Sequence, residues 1–294
     1  MRRRDVLAGA LALSLPGTRA AKAETLDNSF GAVADVTIRG YDDDAMEPFI
    51  TRDGKLLLFN NRNDPPEKTD LHWAEYIDDL TFAYRGPIDG ANSGALDGVA
   101  SLSASGELFF VSTRSYGTSF STIYHATFDG GRTGRPTIVP GVSRDQPGWV
   151  NFDVEVSADG NTLYFVDSWF GRAGKPQIAG LKIAVRDGDR FRRLKESDDL
   201  MDTVNAEGLN FGACISVDEC ELFFTRVAAI TADASPAIYR AARAARDQPF
   251  GPPQRISAIT GFAEAPTLAP DGKRLYFHAR IGDRYVIRST QRLS

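Results

Sequence analysis

Residues 269–280 read APDGKRLYFHAR, and this pattern of a turn followed by a strongly apolar run occurs four more times earlier in the chain. The other copies are TRDGKLLLFNNR at 51–62, SASGELFFVSTR at 103–114, SADGNTLYFVDS at 157–168 and SVDECELFFTRV at 216–227. Asp-Gly between two apolar runs is a strong hairpin signal, because glycine adopts positive φ without steric penalty. The turn positions are 52, 54, 59 and 53 residues apart, and a period of this size indicates a solenoid, a propeller or an array.

Each hairpin supplies two predicted strands. Two further apolar stretches follow each of the first four hairpins and one follows the last, so the first four repeats contain four predicted strands each. The third strands begin at Leu71, Ile123, Leu181, Ile238 and Tyr285, and the fourth strands begin at Leu80, Pro136, Arg190 and Gln254. Repeats of four antiparallel strands predict an all-β fold, a five-bladed β-propeller with four-stranded antiparallel blades. Six blades are the alternative, if the sequence hides one degenerate repeat.

The last repeat has only three strands before the chain ends at Ser294. Phe30-Gly31 near the N-terminus matches Phe250-Gly251 before the last hairpin, and Glu47-Pro48 resembles Ala265-Pro266. We therefore predict that an N-terminal strand completes the last blade. Such closure removes two open sheet edges at once.

The repeat of a small or Asp-Gly turn, Leu-Tyr/Phe-Phe and a later arginine resembles the WD40-like (PD40) repeat of TolB-type periplasmic β-propellers. The clearest copy contains Asp271-Gly272, Leu275-Tyr276-Phe277 and Arg280. Two copies depart from the pattern, because Glu219 replaces the glycine of the fourth and Ser168 replaces the arginine of the third. The resemblance implies a scaffold with diverse uses, including protein docking and substrate gating, since a fold alone does not set a function.

Residues 1–23 have the composition of an export signal, with Arg2, Arg3 and Arg4 before the short apolar stretch 6–15. Ala21-Lys22-Ala23 offers a small-x-small cleavage site, so we predict a signal peptide over 1–23 and one propeller domain over 24–294. Arg3-Arg4-Asp5-Val6-Leu7 resembles the twin-arginine motif, and Sec export is the alternative. The predicted location is the periplasm or the extracellular space, and no later apolar run is long enough to span a membrane.

The charge of the chain excludes one class of partner. The net charge is −5, and without the five basic residues and one acidic residue of 1–23 it is −9. Such a chain lacks the basic surface that nucleic-acid binding requires. We expect a monomer. Cys214 and Cys220 flank one turn, and both a disulfide and two free thiols are compatible with that spacing.

The common catalytic and cofactor motifs are absent from the sequence, including G-x-S-x-G, H-E-x-x-H, C-x-x-C and the P-loop. Only three histidines occur, in separate repeats, so we predict no histidine-based metal site and no cofactor. The acidic stretch Tyr41–Asp44 is the one candidate for calcium, with an acidic surface turn as the simpler interpretation.

Inner strands line the channel of a propeller, and the loops around one mouth normally form its binding site. From those positions the candidate ligand-binding residues are Asn61, Arg62, His72, Arg114, Tyr116, Asn151, Asp153, Trp169, Asn210, Arg226, Glu264, His278 and Arg280. This mixture suits a glycan or another polar small molecule, or the polar rim of a protein partner. The simpler interpretation of the repeated arginines Arg62, Arg114, Arg226 and Arg280 is structural, as bridges to carboxylates of neighbouring blades.

Three functions from different classes fit these residues. The first is a non-enzymatic binding or protein-interaction scaffold. The second is a glycan hydrolase or lyase, whose acid, base or nucleophile would come from Glu47, Asp97, Asp153 and Asp167. The third is an accessory to a metal- or cofactor-carrying oxidoreductase, which only the twin-arginine motif favours. Carboxylates that face each other would indicate the enzyme, and carboxylates paired with arginines would indicate the scaffold.

Overall fold

The structure, a computed structural model, describes residues 24–63, 68–170, 176–228 and 235–293. The predicted signal peptide lies outside these ranges. Within them the chain forms five small sheets, and the five-bladed propeller prediction is confirmed. No helix in the described part of the chain is long and apolar enough to cross a membrane.

The strands follow the chain from blade to blade. Three short strands come first: β1 (Leu26–Asp27), β2 (Phe30–Asp35) and β3 (Thr37–Arg39). Blade 1 contains β4 (Met46–Ile50), β5 (Leu56–Asn60), β6 (Leu71–Asp78) and β7 (Thr81–Pro87). Blade 2 contains β8 (Asp97–Leu102), β9 (Glu107–Ser112), β10 (Ile123–Asp129), β11 (Arg132–Thr133) and β12 (Thr137–Ile138), with the helix α1 (Tyr116–Ser119) after β9.

The remaining three blades follow the same plan. Blade 3 contains β13 (Trp149–Val150), β14 (Val154–Val156), β15 (Thr162–Phe170), β16 (Pro176–Asp187) and β17 (Arg190–Arg193). The helices α2 (Ser197–Leu200) and α3 (Asp202–Asn205) lead to blade 4, which contains β18 (Leu209–Ile215), β19 (Glu221–Val227), β20 (Ala237–Ala242) and β21 (Gln254–Ile256). Blade 5 contains β22 (Ala263–Leu268), β23 (Arg274–Ile281) and β24 (Arg284–Arg292).

An N-terminal strap, defined here as residues 26–39, closes the ring. Its strand β2 pairs antiparallel with β24 and becomes the fourth strand of blade 5, which confirms the predicted closure. The strap also adds a strand to each neighbouring blade, because β1 runs parallel to β21 of blade 4 and β3 runs parallel to β7 of blade 1. One segment thus joins three consecutive blades, a feature that the sequence comparison missed.

The apolar runs after the turns form the core between the blades. Leu58 and Phe59 of blade 1, Phe109 and Phe110 of blade 2, and Phe223 of blade 4 are completely buried. These strands are apolar on both faces because each blade packs against a neighbour on either side, which explains their continuous rather than alternating pattern.

The turn of the fourth repeat differs from the others, and its side chain shows why. Glu219 adopts a φ of 60°, in the region where the other turns use glycine. Its carboxylate is buried, accepts a hydrogen bond from the Tyr164 hydroxyl at 2.8 Å and pairs with Arg246 at 3.1 Å. A non-glycine residue is strained at this φ, and here the strained residue forms a buried hydrogen bond that joins blade 4 to blade 3.

The inner strands bulge at one common level of the channel. The register shifts lie between Met46 and Phe49, Gly98 and Ser101, Phe211 and Cys214, and Glu264 and Thr267. In blade 3 the inner strand is interrupted between β13 and β14. The bulge residues with positive φ are Glu47 (51°), Val99 (55°), Gly212 (60°) and Ala265 (51°). A bulge changes the direction of the side chains beside it and is common next to active sites. The residues at this level of the channel are therefore candidates for a functional site.

Candidate functional site

Hydrogen bonds from the bulges clasp neighbouring blades together. In three cases the backbone N–H of a bulge residue donates to a side chain of the second strand of the preceding blade. The three bonds join Val99 N to Asn60 Oδ1 (3.0 Å), Ala265 N to Thr225 Oγ1 (2.9 Å) and Glu47 N to His278 Nδ1 (3.2 Å). The three acceptors occupy the same repeat position, directly after the Leu-Tyr/Phe-Phe run or its Leu-Leu-Phe variant.

Blade 3 supplies its clasp differently, because the equivalent repeat position is Val166, which has no polar atom. The N–H of Gly212 donates instead to Asp153 Oδ2 at 2.7 Å. Gly212 also allows a close approach, since a Cβ there would lie 3.3 Å from the Cα of Ala265. An amide or a hydroxyl is sufficient for two of the clasps, so the histidine and the carboxylate bring chemistry that the clasp itself does not need.

A buried ion pair marks the deep end of the channel. Arg52 Nη2 contacts Glu155 Oε1 at 2.7 Å and donates to the carbonyl of Val156 at 2.5 Å. The hydroxyl of Ser101 donates to the other oxygen of Glu155 at 2.7 Å. This pair joins blade 1 to blade 3 and neutralises the Glu155 charge inside the protein.

Above that ion pair lie three acidic residues and one histidine that we call the channel cluster: Glu47, Asp153, Glu264 and His278. Glu47 and Asp153 line a cavity of about 20 Å³, room for roughly one water molecule. Ligand atoms of Glu47, Glu264 and His278 lie within 4.8 Å of one another. His278 is completely buried, and its Nε2 lies 3.2 Å from Glu264 Oε2. Across the described residues, no arginine or lysine forms an ion pair with the three carboxylates of the cluster.

The protonation of the cluster follows from this arrangement. Desolvation, with smaller contributions from the charges of Asp153 and Glu264, raises the pKa of Glu47 to about 8, although His278 acts in the opposite direction. Desolvation and the charge of Glu264 raise the pKa of Asp153 to about 7, against the hydrogen bond from Gly212. Burial opposes protonation of His278, but Glu264 and Glu47 outweigh it and raise the pKa of the imidazole. Perturbed carboxyl groups of this kind concentrate at functional sites.

The geometry of His278 bears on whether the cluster fits a metal ion. Its Nδ1 accepts the N–H of Glu47, so Nε2 carries the proton of the neutral ring and points to Glu264. Both ring nitrogens are therefore engaged. A metal ion would have to displace one of these contacts, and the arrangement fits hydrogen-bond donors better than a metal.

Two of the four candidate catalytic carboxylates belong to a different environment. Asp97 is completely buried and accepts from Arg114 at 2.6 Å. Asp167 is 3% exposed and accepts from Arg193 at 2.6 Å and from Arg144 at 2.7 Å. Neither lines the channel cavity. The pairs of Asp97 and Asp167 with arginines are the arrangement expected of a scaffold, whereas Glu47 and Asp153, unpaired at one cavity, are closer to the arrangement expected of an enzyme.

The repeated arginines mostly hold their own blade. Arg114 binds Asp97, and Arg226 Nε donates to Asn210 Oδ1 at 2.8 Å, in each case within one blade. Arg62 instead reaches the blade boundary, where it binds Asp44 at 2.6 Å and stacks over the ring of Tyr285 in blade 5. Arg280 is exposed, with its guanidinium over the ring of Phe262 at 5.5 Å.

The other candidate residues make internal contacts away from the channel cluster. Asn151 donates to the carbonyl of Val166, Asn61 donates to the carbonyl of Lys68, and the Tyr116 hydroxyl donates to the carbonyl of Trp149. Trp169 packs on Trp149 with ring centroids 5.7 Å apart. His72 of β6 is stacked on Phe59 of the neighbouring strand β5, and its Nδ1 is hydrogen-bonded to the Tyr84 hydroxyl at 2.9 Å. Burial lowers the pKa of His72 to about 4.

Arg226 lies at a second pocket, on the surface of blade 4. This pocket has a volume of about 260 Å³ and is lined by Arg226, Tyr239 and Glu24 among others. The Tyr239 hydroxyl donates to the Glu24 carboxylate, and the Arg226 guanidinium lies 4.7 Å from the Tyr239 ring centroid. It shares no lining residue with the channel cavity. The thirteen candidate residues are therefore spread over more than one site.

The calcium candidate Tyr41–Asp44 is occupied by other partners. Asp44 Oδ2 accepts from Arg62 at 2.6 Å, and Oδ1 accepts from Arg284 at 3.1 Å and from the N–H of Tyr285 at 2.9 Å. Both carboxylate oxygens of Asp44 are engaged by these donors, so this residue offers no free oxygen to a calcium ion.

The two cysteines are free thiols, Cys214 buried and Cys220 half-buried. The Cys214 sulfur accepts the N–H of Leu268 in blade 5 at 3.1 Å. Burial raises the pKa of the Cys214 thiol to about 12, which makes this residue an inert part of the core.

Sequence reasoning missed Arg52, Glu155 and Thr225. A signal for Thr225 exists, because the residue after the Leu-Tyr/Phe-Phe run is polar in three of the five repeats. No comparable signal exists for the contact between Arg52 and Glu155, which joins different repeats at different positions.

Comparison with known proteins identifies the fold of the chain but does not identify a family. No protein-family model and no curated protein matches it. A family 117 glycoside hydrolase from Zobellia galactanivorans is 12% identical, with a TM-score of 0.57 over 90% of this chain and 91% of its own. The catalytic domain of a GH62 alpha-L-arabinofuranosidase from Coprinopsis cinerea is 10% identical, with a TM-score of 0.57 over 90% and 98%.

A protein described as TolB from Agrobacterium tumefaciens is 16% identical, with a TM-score of 0.48 over 82% of this chain and 72% of its own. At these identities the likeness to the two hydrolases concerns the fold alone, and the likeness to TolB is too low to carry an argument. The function therefore has to be argued from the site.

Proposed function

We propose that this protein is an exported, periplasmic binding scaffold that holds a ligand or a protein partner at the channel mouth. One observation favours the scaffold over an enzyme: Asp97 and Asp167, two of the four candidate catalytic carboxylates, are paired with arginines, and the cavity that the other two line has room for only about one water molecule. The three carboxylates of the channel cluster have no arginine or lysine partner within the described residues. A stable fold gains nothing from unrelieved repulsion, and unrelieved charge is typical of sites shaped for binding or catalysis.

Export is a separate part of the proposal and rests on the sequence of residues 1–23. Fractionation of cells that express the complete chain tests it. We expect the protein in the periplasm and expect it to remain in the cytoplasm when Arg3 and Arg4 are both replaced by lysine, if the twin-arginine route is used. Unchanged export of that variant would favour the Sec route.

Thermal unfolding tests the binding function. The purified protein is compared with its Asp153→Asn variant in the presence of oligosaccharides and short peptides, with a chelator present throughout. A ligand that binds only the folded protein raises the unfolding temperature in proportion to the logarithm of its concentration. We expect at least one compound to stabilise the wild type and not the variant. A panel-wide response that is identical in both proteins would contradict a site at the channel cluster.

The second candidate is a carboxylate-dependent glycan hydrolase. It is favoured by the closeness of Glu47 to Glu264 and by the raised pKa of Glu47, which would keep one carboxyl protonated at neutral pH as a general acid. Release of reducing ends from the same oligosaccharides separates the two functions. Turnover that disappears in Glu47→Gln supports the hydrolase, and binding without turnover supports the scaffold.

A further inference from the structure

One of the four clasps between blades ends on a group that can gain a proton. Three clasps end on a side-chain oxygen, whereas the clasp between blade 5 and blade 1 ends on Nδ1 of His278. We propose that this clasp is a pH-sensitive switch, closed while His278 is neutral and open when the ring has gained its second proton. The switch belongs to the fold around the channel and does not depend on which ligand the mouth binds.

The hydrogen bond of this clasp requires a neutral ring. The backbone N–H of Glu47 can only donate, so its contact with Nδ1 at 3.2 Å requires a lone pair on that nitrogen. In the imidazolium both ring nitrogens carry protons, so no lone pair remains. Protonation of His278 therefore leaves two N–H groups facing each other. An amide, hydroxyl or carboxyl oxygen keeps a lone pair in every protonation state, so the other three clasps do not have this property.

The groups that surround His278 nevertheless favour the second proton. From its own blade, Glu264 Oε2 lies 3.2 Å from Nε2, and from blade 1 the charge of Glu47 acts on the ring. Tyr285 of β24 packs against the ring at 5.9 Å, and Asp153 faces Glu47. Burial opposes the charged ring, but the hydrogen bond with Glu264 and the charges of Glu47 and Glu264 raise the pKa of His278. The second proton thus gains ion pairs while it breaks the clasp.

The backbone of Glu47 is strained while the clasp is closed. Its φ of 51° lies in the left-handed region, which is unfavourable for a residue with a Cβ. Residues stay in such conformations only when their surroundings hold them there. The clasp is one of these restraints, so its loss allows the bulge between Met46 and Phe49 to relax. Because Glu47 and Pro48 line the channel cavity, this relaxation changes the channel at its centre.

Other contacts hold blade 5 to blade 1 during this change. The N–H of Ile50 donates to Thr267 Oγ1 at 3.2 Å, and the strap pairs with both blades through β2 and β3. These hydrogen bonds use backbone groups and a hydroxyl, which do not titrate between about pH 5 and about pH 8. The switch is therefore local to the bulge and does not open the ring.

Amide hydrogen exchange, followed residue by residue by NMR from about pH 8 to about pH 5, tests the switch. The measured quantity is the protection factor, which removes the intrinsic pH dependence of exchange. We expect the protection of the Glu47 amide to fall about tenfold as His278 gains its second proton, because one hydrogen bond is lost. The amides of Val99 and Ala265 are internal controls, since their clasps end on oxygens, and their protection should not change. The ring nitrogen shifts of His278 report its protonation in the same samples.

Two variants separate the switch from other effects of pH. In His278→Asn an amide oxygen should replace Nδ1, as Asn60 provides at the same repeat position, so the protection of the Glu47 amide should no longer depend on pH. His125→Asn is the matched control, because His125 pairs with Glu107 and takes part in no clasp. In that variant the pH dependence at Glu47 should remain as in the wild type.

Glu264→Gln keeps the switch testable if His278→Asn does not fold. It removes a charge that favours the imidazolium, so the fall in protection of the Glu47 amide should move to lower pH. An unchanged midpoint in this variant overturns the proposal. Constant protection of Glu47 while the ring titrates, a ring that stays neutral down to about pH 5, or an equal loss of protection at Val99 and Ala265 overturns it too. So does a pH dependence that persists in His278→Asn.

Discussion

Blades 2 and 3 bury Asp97 and Asp167 next to arginines, whereas blades 1, 3 and 5 bring Glu47, Asp153 and Glu264 together with no arginine or lysine bound to them in the described chain. Both groups lie near the same mouth of one propeller. In the first group the charges cancel, so removal of one partner leaves the other uncompensated. In the second group the charges add, so removal of one member relieves repulsion. The same substitution, a carboxylate to its amide, should therefore have opposite effects in the two groups.

The largest effect is expected for Asp167→Asn. The substitution leaves Arg144 and Arg193 without their shared carboxylate, and breaking a buried ion pair from one side costs about 4 kcal/mol. Urea unfolding measures the change in the free energy of unfolding. Asp198→Asn is the matched control, because its pair with Lys182 is exposed and worth less than about 1 kcal/mol. Equal losses of unfolding free energy in Asp167→Asn and Asp198→Asn would show that the buried ion pair contributes no more to stability than the exposed one.

A somewhat smaller loss is expected for Asp97→Asn, about 3 kcal/mol in the same assay. Arg114 keeps its contacts with the hydroxyl of Ser112 and the carbonyl of Ala91, so part of its hydrogen bonding survives. Asparagine also continues to accept from Ser93, which makes the lost charge the main change. Stabilisation by this substitution would place Asp97 with the channel cluster instead.

The free energy of unfolding should fall as the pH rises from 5 to 8, by roughly 1.4 kcal/mol for each pH unit over which one carboxyl is protonated only in the folded state. The folded state raises the pKa values of Glu47 and Asp153 to about 8 and about 7, whereas unfolded carboxyls titrate near 4. Between these values the folded protein holds protons that the unfolded chain has released, so folding is favoured at the acidic end. His278, whose pKa is also raised, contributes with the same sign, and Glu264 is the fourth group facing them.

The double variant Glu47→Gln/Asp153→Asn tests this origin of the pH dependence. Its free energy of unfolding, measured in urea at several pH values, should be nearly flat over the same interval. A slope as steep as that of the wild type would show that other groups cause the dependence.

The smallest effect, and the one with opposite sign, is expected for Asp153→Asn alone. At pH 8 we expect stabilisation by about 1 kcal/mol, because repulsion is relieved while the amide oxygen still accepts the N–H of Gly212. The same variant should lose ligand binding, because substitutions that stabilise a functional site often impair its function. Destabilisation similar to that of Asp97→Asn would mean that Asp153 has a structural role only.

Much of the fold follows from the sequence by itself. Each hairpin is encoded by a turn and two apolar runs within a dozen residues, so five repeats predict five blades without any long-range information. The match of Phe30-Gly31 to Phe250-Gly251 was sufficient to predict the completion of blade 5 by β2. The parallel additions of β1 and β3 were not predicted, because two- and three-residue edge strands carry no periodic signal.

The site was decided by the tertiary structure. The sequence identified Glu47, Asp97, Asp153 and Asp167 as equivalent candidates, since each lies near the mouth, but it could not say which of them meets an arginine. That choice depends on contacts such as Glu47 with His278, which are 231 residues apart and come together only when the ring closes. Local patterns determine the strands and the repeat. Pairing between blades determines the charge balance, because Coulomb interactions and desolvation depend on distances in space and not on separation along the chain.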